Sequence, residues 1–146
     1  MNAVAKHLID HGIRPSVQRM AIMEYLMAHA THPTVDTIYQ DLLVTIPTLS
    51  RTTIYNTLSL LEEKDALTAL SIDTKTVHYD GDTSPHAHFM CRGCGKIFDL
   101  PISEDANSTK LIPHNFKIEH VKLYYTGLCE DCQRRENKKI KSIIQN

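Results

Sequence analysis

The chain has 146 residues, enough for one ordinary domain or two small ones. Hydrophobic residues make up 42% of it and charged residues 23%, a globular balance that excludes a disordered or collagenous chain. No stretch approaches the roughly eighteen consecutive apolar residues of a membrane span. Residues 1–10 lack the apolar core of a signal peptide, so we expect a cytoplasmic protein without a membrane partner.

Charge is distributed unevenly along the chain, although the net charge is only −1. Residues 1–80 carry six basic and nine acidic side chains, whereas residues 81–146 carry ten basic and eight acidic ones. Neither part has the basic excess expected of a protein that binds nucleic acid nonspecifically. Any DNA binding must therefore depend on a few well-placed arginines and on a specific geometry.

Residues 1–80 are predicted to be mainly helical. Gly12 is placed to end the first helix, and the side chains of Ser16, Thr34 and Ser50 are placed to cap the next three. Apolar residues recur at helical spacing between these signals. The expected helices cover residues 3–11, 17–28, 35–45 and 51–64.

The periodicity changes after the fourth helix. Residues 67–72 and 76–79 are β-prone and are joined by a short polar turn, which predicts a hairpin. Helices followed by a two-stranded wing are typical of a winged helix-turn-helix. The fourth helix is then the candidate recognition helix.

A second unit follows the turn-forming segment 80–85. Strands are expected at residues 87–90, 96–100 and 116–126, and helices at residues 104–112 and 130–144. The predicted fold class is α+β, with a winged-helix DNA-binding domain at residues 1–80, a hinge at 81–85 and a dimerisation and metal-binding domain at 86–146. A core of about 60 residues is marginal alone, which suits a zinc site and a dimer.

Four cysteines carry the strongest chemical signal: Cys91, Cys94, Cys129 and Cys132. They form two C-x-x-C pairs, and such pairs can close a tetrahedral thiolate site around Zn²⁺. The alternatives are two disulfides or four free thiols, and a reducing cytosol disfavours disulfides. We expect a structural zinc site, which has no open position and is not catalytic.

The recognition helix presents a polar face opposite the apolar stripe of residues 54, 58 and 61. This face carries Arg51, Thr52, Tyr55 and Asn56, whose side chains can reach phosphates, base edges or thymine methyls in the major groove. The alternative is an ordinary solvated helix face. The residue types alone leave both interpretations open.

Several motifs in order make the chain resemble the ferric uptake regulator (Fur) superfamily of metal-dependent bacterial repressors. They are RPSVQR at residues 14–19, with Ser16 where the family has Thr, HPTVDTIY at 32–39, SRTTIYNTL at 50–58 and HAHFMC at 86–91. The resemblance implies that the recognition helix binds DNA, and that Arg14 and Arg19 touch phosphate. It also implies a homodimer on an A·T-rich palindromic operator.

The same resemblance implies a regulatory metal site formed by His32, Asp80, His86, His88 and Asp99. On a strand, His86 and His88 project to one face. Three imidazoles and two carboxylates suit Fe(II) or Mn(II) and can accept Zn(II). The alternative is that the two neighbouring histidines belong only to a polar loop.

Two departures favour the peroxide-responsive PerR branch of the superfamily. Iron-uptake members usually have Glu at the positions of Asp80 and Asp99, and many have a further metal site. The ligands of that further site fall at Pro85, Ala87 and Val121, whose side chains cannot bind a metal. The resemblance implies peroxide sensing through Fe(II)-catalysed oxidation of histidines. Control of iron or manganese uptake, without peroxide sensing, is the alternative.

Two further functions are alternatives to a repressor. A metal hydrolase needs an open coordination position, a general base and a substrate cleft, and the sequence offers no separate base or nucleophile motif. We therefore expect no enzyme. A zinc-stabilised interaction module without DNA binding is the other alternative, and a footprint on A·T-rich palindromes would exclude it.

Overall fold

The computed structural model describes residues 2–106 and 108–145, without the side chain of Gln145. They form two compact units, one ending at Ser84 and the other beginning at Pro85. The described residues contain helices and two small sheets, which confirms the predicted α+β class. The outer limits of the predicted domains, Met1 and Asn146, lie outside the described residues.

The first unit contains the four predicted helices. They are α1 (Ala3–Asp10), α2 (Val17–Ala28), α3 (Val35–Leu43) and α4 (Arg51–Glu63). The side chains of Ser16, Thr34 and Ser50 each accept a hydrogen bond from the backbone N–H three residues later, as predicted. Helix α3 ends two residues before its predicted end, because residues 44 and 45 form a turn.

The hairpin after α4 consists of β1 (Thr68–Leu70) and β2 (His78–Asp80), which pair antiparallel. Each strand has three residues, so the hairpin is shorter than predicted. The core beneath it is formed by side chains from several helices, among them the fully buried Ile22, Ile38, Ile54, Leu58 and Leu61. The last three are the apolar stripe of α4, so the polar face of α4 points away from this core.

The second unit contains β3 (Ala87–Cys91), β4 (Ile97–Leu100), β5 (Tyr124–Gly127) and α5 (Glu130–Gln145). Strand β3 lies at the centre of its sheet, antiparallel to β4 and parallel to β5. Helix α5 follows directly after the sheet. In the described parts of the chain, no helix combines the length and apolar character that crossing a bilayer requires.

Two predictions for this unit were wrong. The described residues of 104–112 form turns rather than a helix, and Asn107 lies outside the description. Short polar side chains compete with the helix there, since Ser108 Oγ accepts a hydrogen bond from the N–H of Lys110, only two residues later. The strand predicted at 116–126 forms only over β5, because β3 offers just a five-residue partner for its ladder.

Candidate metal centres and nucleic-acid interface

The sulfur atoms of the four cysteines converge at one end of the second unit. Cys91 ends β3, Cys94 lies in the following turn, and Cys129 and Cys132 lie just before and within the first turn of α5. All four sulfurs lie within 4.8 Å of one another, and those of Cys94 and Cys129 are 4.0 Å apart. A disulfide needs about 2.05 Å, whereas four thiolates on one Zn²⁺ lie roughly 3.8 Å apart. The donor set and spacing fit zinc.

Backbone amides prepare Cys91 to act as a thiolate. The N–H groups of Cys129, Cys94 and Gly93 point at its sulfur from 3.4, 3.5 and 3.3 Å. These donors, that of Cys129 foremost, lower the pKa of Cys91 to about 6. The pKa of Cys132 is raised to about 12, because its thiol donates to the neighbouring sulfurs, first to Cys91. One thiolate is thus preformed at the buried end of the cluster.

Glycines allow the turn between Cys91 and Cys94 to close. Gly95 has φ +74°, a left-handed conformation that favours glycine, and its N–H donates to the carbonyl of Cys91 at 2.8 Å. Gly93 lies against Cys132, whose sulfur would be 2.9 Å from a Cβ at this position. The absence of a side chain at Gly93 therefore lets the two C-x-x-C pairs approach each other.

His32 and Asp80 form one buried pair within the first unit. His32 Nε2 and Asp80 Oδ2 are 3.6 Å apart, too far for a good hydrogen bond but suitable for two ligands of one ion. The other carboxylate oxygen, Oδ1, accepts a hydrogen bond from the N–H of Asp82 at 2.9 Å. That bond orients the carboxylate and leaves Oδ2 facing the imidazole.

Gly81 places Asp80 against the end of α2, and sequence reasoning did not identify this role. A Cβ at Gly81 would lie 2.9 Å from the carbonyl oxygen of Leu26. His32 itself adopts φ +56°, which is unusual for a residue with a side chain. The pair is therefore held by a close backbone approach and by a turn with restricted geometry.

The other predicted ligands, His86, His88 and Asp99, come together within the second unit. His88 and Asp99 are directly opposite in the β3–β4 ladder. Asp99 Oδ1 lies 3.4 Å from Nε2 of His86 and 3.3 Å from Nε2 of His88. Two imidazoles and a carboxylate oxygen therefore converge on one point, and this nitrogen and oxygen set suits Fe(II), Mn(II) or Zn(II).

The polar face of α4 is exposed, as its sequence predicted. Arg51, Thr52, Tyr55 and Asn56 are all exposed, and Tyr55 retains 58% of its accessible surface. The exposed ring of Tyr55 is available for contact with DNA bases. Arg51 is not solvated on all sides, because it contacts Asp36 and stacks 4.4 Å above the ring of Tyr39.

Arg14 and Arg19 line an open groove between the start of α2 and the outer face of α4, together with Ser16, Thr53 and Asn56. A guanidinium nitrogen of Arg19 donates to the carbonyl of Arg14 at 2.8 Å. The groove thus combines two cations with the N-terminus of a helix, a combination that favours an anion. It brings both predicted phosphate contacts beside one residue of the recognition face.

Comparison with known proteins gives relatives over most of the chain. It is 36% identical over 132 residues to the peroxide operon regulator of Bacillus subtilis, covering 89% of this chain and 91% of that one. It is also 36% identical to the peroxide-responsive repressor PerR of Staphylococcus saprophyticus, over 86% of each chain. The ferric uptake regulator Fur of Helicobacter pylori superposes with a TM-score of 0.72 over 90% of this chain and 95% of that one, at 20% identity, and so supports the fold.

The model of the ferric uptake regulator family matches residues 10–126. This range contains the last residue of α1, all of α2 to α4, the hairpin, and the sheet of the second unit except Gly127, the last residue of β5. Because the match covers most of the chain and two relatives exceed 30% identity, the chain belongs to the ferric uptake regulator family.

Proposed function

We propose that the chain is a metal-dependent transcriptional repressor that releases DNA when hydrogen peroxide oxidises its regulatory site. Two groups of His and Asp side chains support this proposal. The first is His32 with Asp80, and the second is His86 and His88 with Asp99. The names of two relatives as peroxide regulators support the choice of signal. Members of this family are transcription regulators, and we propose no catalytic turnover here.

The four-cysteine cluster is proposed to hold one structural Zn²⁺. Four thiolates fill a tetrahedral coordination sphere, so no position remains for a substrate or an oxidant. The site ties the end of β3 to the start of α5, which are more than 30 residues apart in sequence. Its contribution is to folding, because the unfolded chain has no preformed site and the free energy of zinc binding therefore adds to that of folding.

The five regulatory residues are proposed to bind one Fe(II) or Mn(II). His32 and Asp80 belong to the proposed DNA-binding domain, residues 1–80, and the other three to the proposed dimerisation domain, residues 86–146. An ion with ligands from both domains restrains the hinge at 81–85. Moving a two-state equilibrium from almost fully open to almost fully closed takes about 5.5 kcal/mol of differential binding, and several coordination bonds can supply this.

We propose that α4 binds an operator of double-stranded DNA that is A·T-rich and palindromic. Arg51, Thr52, Tyr55 and Asn56 face the major groove, and Arg14 and Arg19 bind phosphate beside them. Net charge on residues 1–80 is negative, so affinity must come from this local cluster rather than from the whole domain. We propose that the protein acts in the cytoplasm, where its operator lies and thiols stay reduced.

A second copy of the chain is the proposed partner through residues 86–146. This unit leaves large apolar side chains exposed: Leu111 at 98%, Phe116 at 62%, Ile143 at 75% and Ile144 at 77%. A monomer rarely exposes this many apolar side chains in one small unit. A dimer with twofold symmetry matches a palindrome, since each recognition helix reads one half-site.

The regulatory residues also explain the proposed response to peroxide. Bound Fe(II) supplies the electrons that reduce hydrogen peroxide. His32 and His86 would be ligands of this Fe(II) and would be next to the oxidant formed from peroxide, so their rings would react before it diffuses away. An oxidised imidazole is a poorer ligand, and its loss releases the restraint between the domains. Mn(II) does not carry out this chemistry readily and should protect.

The test is an operator-binding titration, read by fluorescence anisotropy. A duplex selected from a random pool with Mn(II)-loaded protein serves as the probe. Protein loaded with Fe(II), Mn(II) or Zn(II) is titrated before and after a brief peroxide pulse. We expect metal to be required for tight binding, and only the Fe(II) form to lose it after peroxide. His32→Ala should bind poorly with every metal, whereas the exposed His114→Ala should match the wild type.

Tight binding that needs metal but survives peroxide in the Fe(II) form would favour the alternative, an iron- or manganese-responsive uptake repressor. Binding that needs no metal at all would contradict the regulatory site. Absence of binding to any duplex in the pool would favour a zinc-stabilised interaction module.

A further inference from the structure

His78, the first residue of β2, connects the hairpin to the backbone of His32. Its Nδ1 lies 2.7 Å from the carbonyl oxygen of His32, and its Nε2 lies 3.0 Å from Oδ2 of Asp73. The carbonyl oxygen of His32 only accepts hydrogen bonds, so Nδ1 of the ring is the donor in this bond. The ring is only 15% exposed, which shields both bonds from competing water.

All three residues of β2 contact the short turn at residues 32 and 33. His78 binds the carbonyl of His32 through its side chain, and the N–H of Tyr79 donates to the carbonyl of Pro33 at 2.9 Å. Asp80 then faces the imidazole of His32. The strand therefore fixes the backbone of His32 at the same time as it supplies the second proposed ligand.

His32 needs such support because its conformation is intrinsically unfavourable. A φ of +56° is unfavourable for a residue with a side chain, so a free turn would relax to another conformation. Such a change of the backbone would alter the direction of the Cα–Cβ bond of His32 and move its imidazole away from Asp80. The hydrogen bond from His78 holds the carbonyl, and hence this backbone conformation, in place.

Asp73 anchors His78 from the turn of the hairpin. Its Oδ1 accepts a hydrogen bond from the N–H of Lys75 at 2.9 Å, while Oδ2 lies 3.0 Å from Nε2 of His78. The pKa of Asp73 is lowered, mainly by the Lys75 amide and next by His78, so the carboxylate stays charged. Asp73, His78 and the His32 carbonyl form a continuous chain from the tip of the wing to the proposed metal ligand.

We propose that His78 is a positioning residue for the regulatory metal, which it favours by holding His32 in its ligand conformation before the ion binds. The proposal rests on the proposed function, in which His32 is a ligand. Partners that orient ligands from outside the coordination sphere change metal affinity by about 10- to 100-fold when they are lost. The opposing interpretation is an ordinary structural bond within the hairpin, whose loss lowers stability alone.

A double-mutant cycle on Mn(II) affinity distinguishes the positioning role from the purely structural bond. The zinc-loaded full chain is titrated with Mn(II), and free Mn(II) is followed by electron paramagnetic resonance. The wild type is compared with His78→Ala, His32→Ala and the double variant. We expect His78→Ala to weaken Mn(II) binding at least 10-fold in the wild-type background. In the His32→Ala background it should have no further effect, because no ligand remains to be positioned.

Two further variants distinguish a loss of positioning from a simple folding defect. His78→Asn places an amide N–H near the position of Nδ1, so it should restore most of the Mn(II) affinity without restoring the bond to Asp73. Lys75→Ala, an exposed side chain on the same turn, should leave the affinity unchanged. The thermal midpoint of each metal-free variant shows how much stability changed independently of the metal.

Equal weakening by His78→Ala in both backgrounds, or no weakening in either, would overturn the positioning role. The first result would mark His78 as structural, and the second as irrelevant to the site. If His32→Ala alone left Mn(II) affinity unchanged, His32 would not be a ligand, and the proposed site would fail together with the inference.

Discussion

The guanidinium group of Arg51 is bound by Asp36, with Nε of the arginine 3.0 Å from Oδ1 of the carboxylate. The same group stacks over Tyr39, which like Asp36 belongs to α3. The pair is exposed, at 57% and 78% of the two side chains, so it contributes little to stability. Its effect is orientation, since α3 sets the direction of the first side chain of the recognition helix.

Arg51→Ala should weaken operator binding by about 1–3 kcal/mol if the arginine reads a base. The loss should be confined to sequences that carry the base pair it contacts. Anisotropy titrations against a set of single-base variants of the operator measure this. Asp36→Asn removes the charge that holds Arg51 and should reduce discrimination at that base pair, whereas Lys64→Ala at the far end of α4 should do neither. Uniform weakening across all sequences would assign Arg51 to phosphate instead.

Tyr55→Ala should lower operator affinity by about 1–3 kcal/mol per half-site, because the exposed ring is proposed to pack on thymine methyls. Tyr55→Phe keeps the ring and should retain most of the affinity. Metal content and dimerisation should match the wild type in both variants. Wild-type affinity of Tyr55→Ala in the same titration would show that α4 does not read bases through this face.

Cys94→Ser should abolish stoichiometric zinc and destabilise the second unit or its dimer. Cys94 is exposed, so the substitution removes a ligand while it leaves packing largely unchanged. Zinc content by atomic absorption and mass by light scattering provide the measurements. A folded dimer of this variant that contains no zinc would contradict the structural role.

Gly93→Ala should weaken zinc binding although it alters no ligand. Its new Cβ would meet the sulfur of Cys132 at 2.9 Å and the Cβ of Cys132 at 3.1 Å, so the ligand must shift. Gly127→Ala is a matched control in the same unit, because its Cβ would meet only the Phe89 ring, at 3.6 Å. Competition with a chromogenic chelator should show faster zinc loss from the first variant alone. Equal rates of zinc loss from the two variants would mean that the turn between Cys91 and Cys94 adjusts freely to the new Cβ.

Local signals predicted most of the first unit. Ser16, Thr34 and Ser50 cap the helices that their positions indicated, because a capping bond joins residues only three apart. In the second unit, spacing indicated β3 and β4, but it misjudged residues 104–112. Polarity and length resembled a helix there, but the segment forms local turns, one of which contains the bond from the N–H of Lys110 to Ser108 Oγ.

Contacts between residues that are far apart in the sequence could not be predicted from it. Nothing near His78 in the sequence indicated a bond to His32, which is 46 residues away. The bond between Arg51 and Asp36 likewise joins two helices. Such pairs depend on how the helices pack, and a periodic pattern does not encode that.

Peptide mass spectrometry of the Fe(II) form after a brief peroxide pulse tests the central claim most directly. Samples are taken in parallel for operator binding, and the Mn(II) form is treated identically. We predict one added oxygen on a peptide that contains His32 or His86, only in the Fe(II) form, rising in step with the release of DNA. Unmodified His32 and His86 with the operator still bound would contradict peroxide sensing through this site.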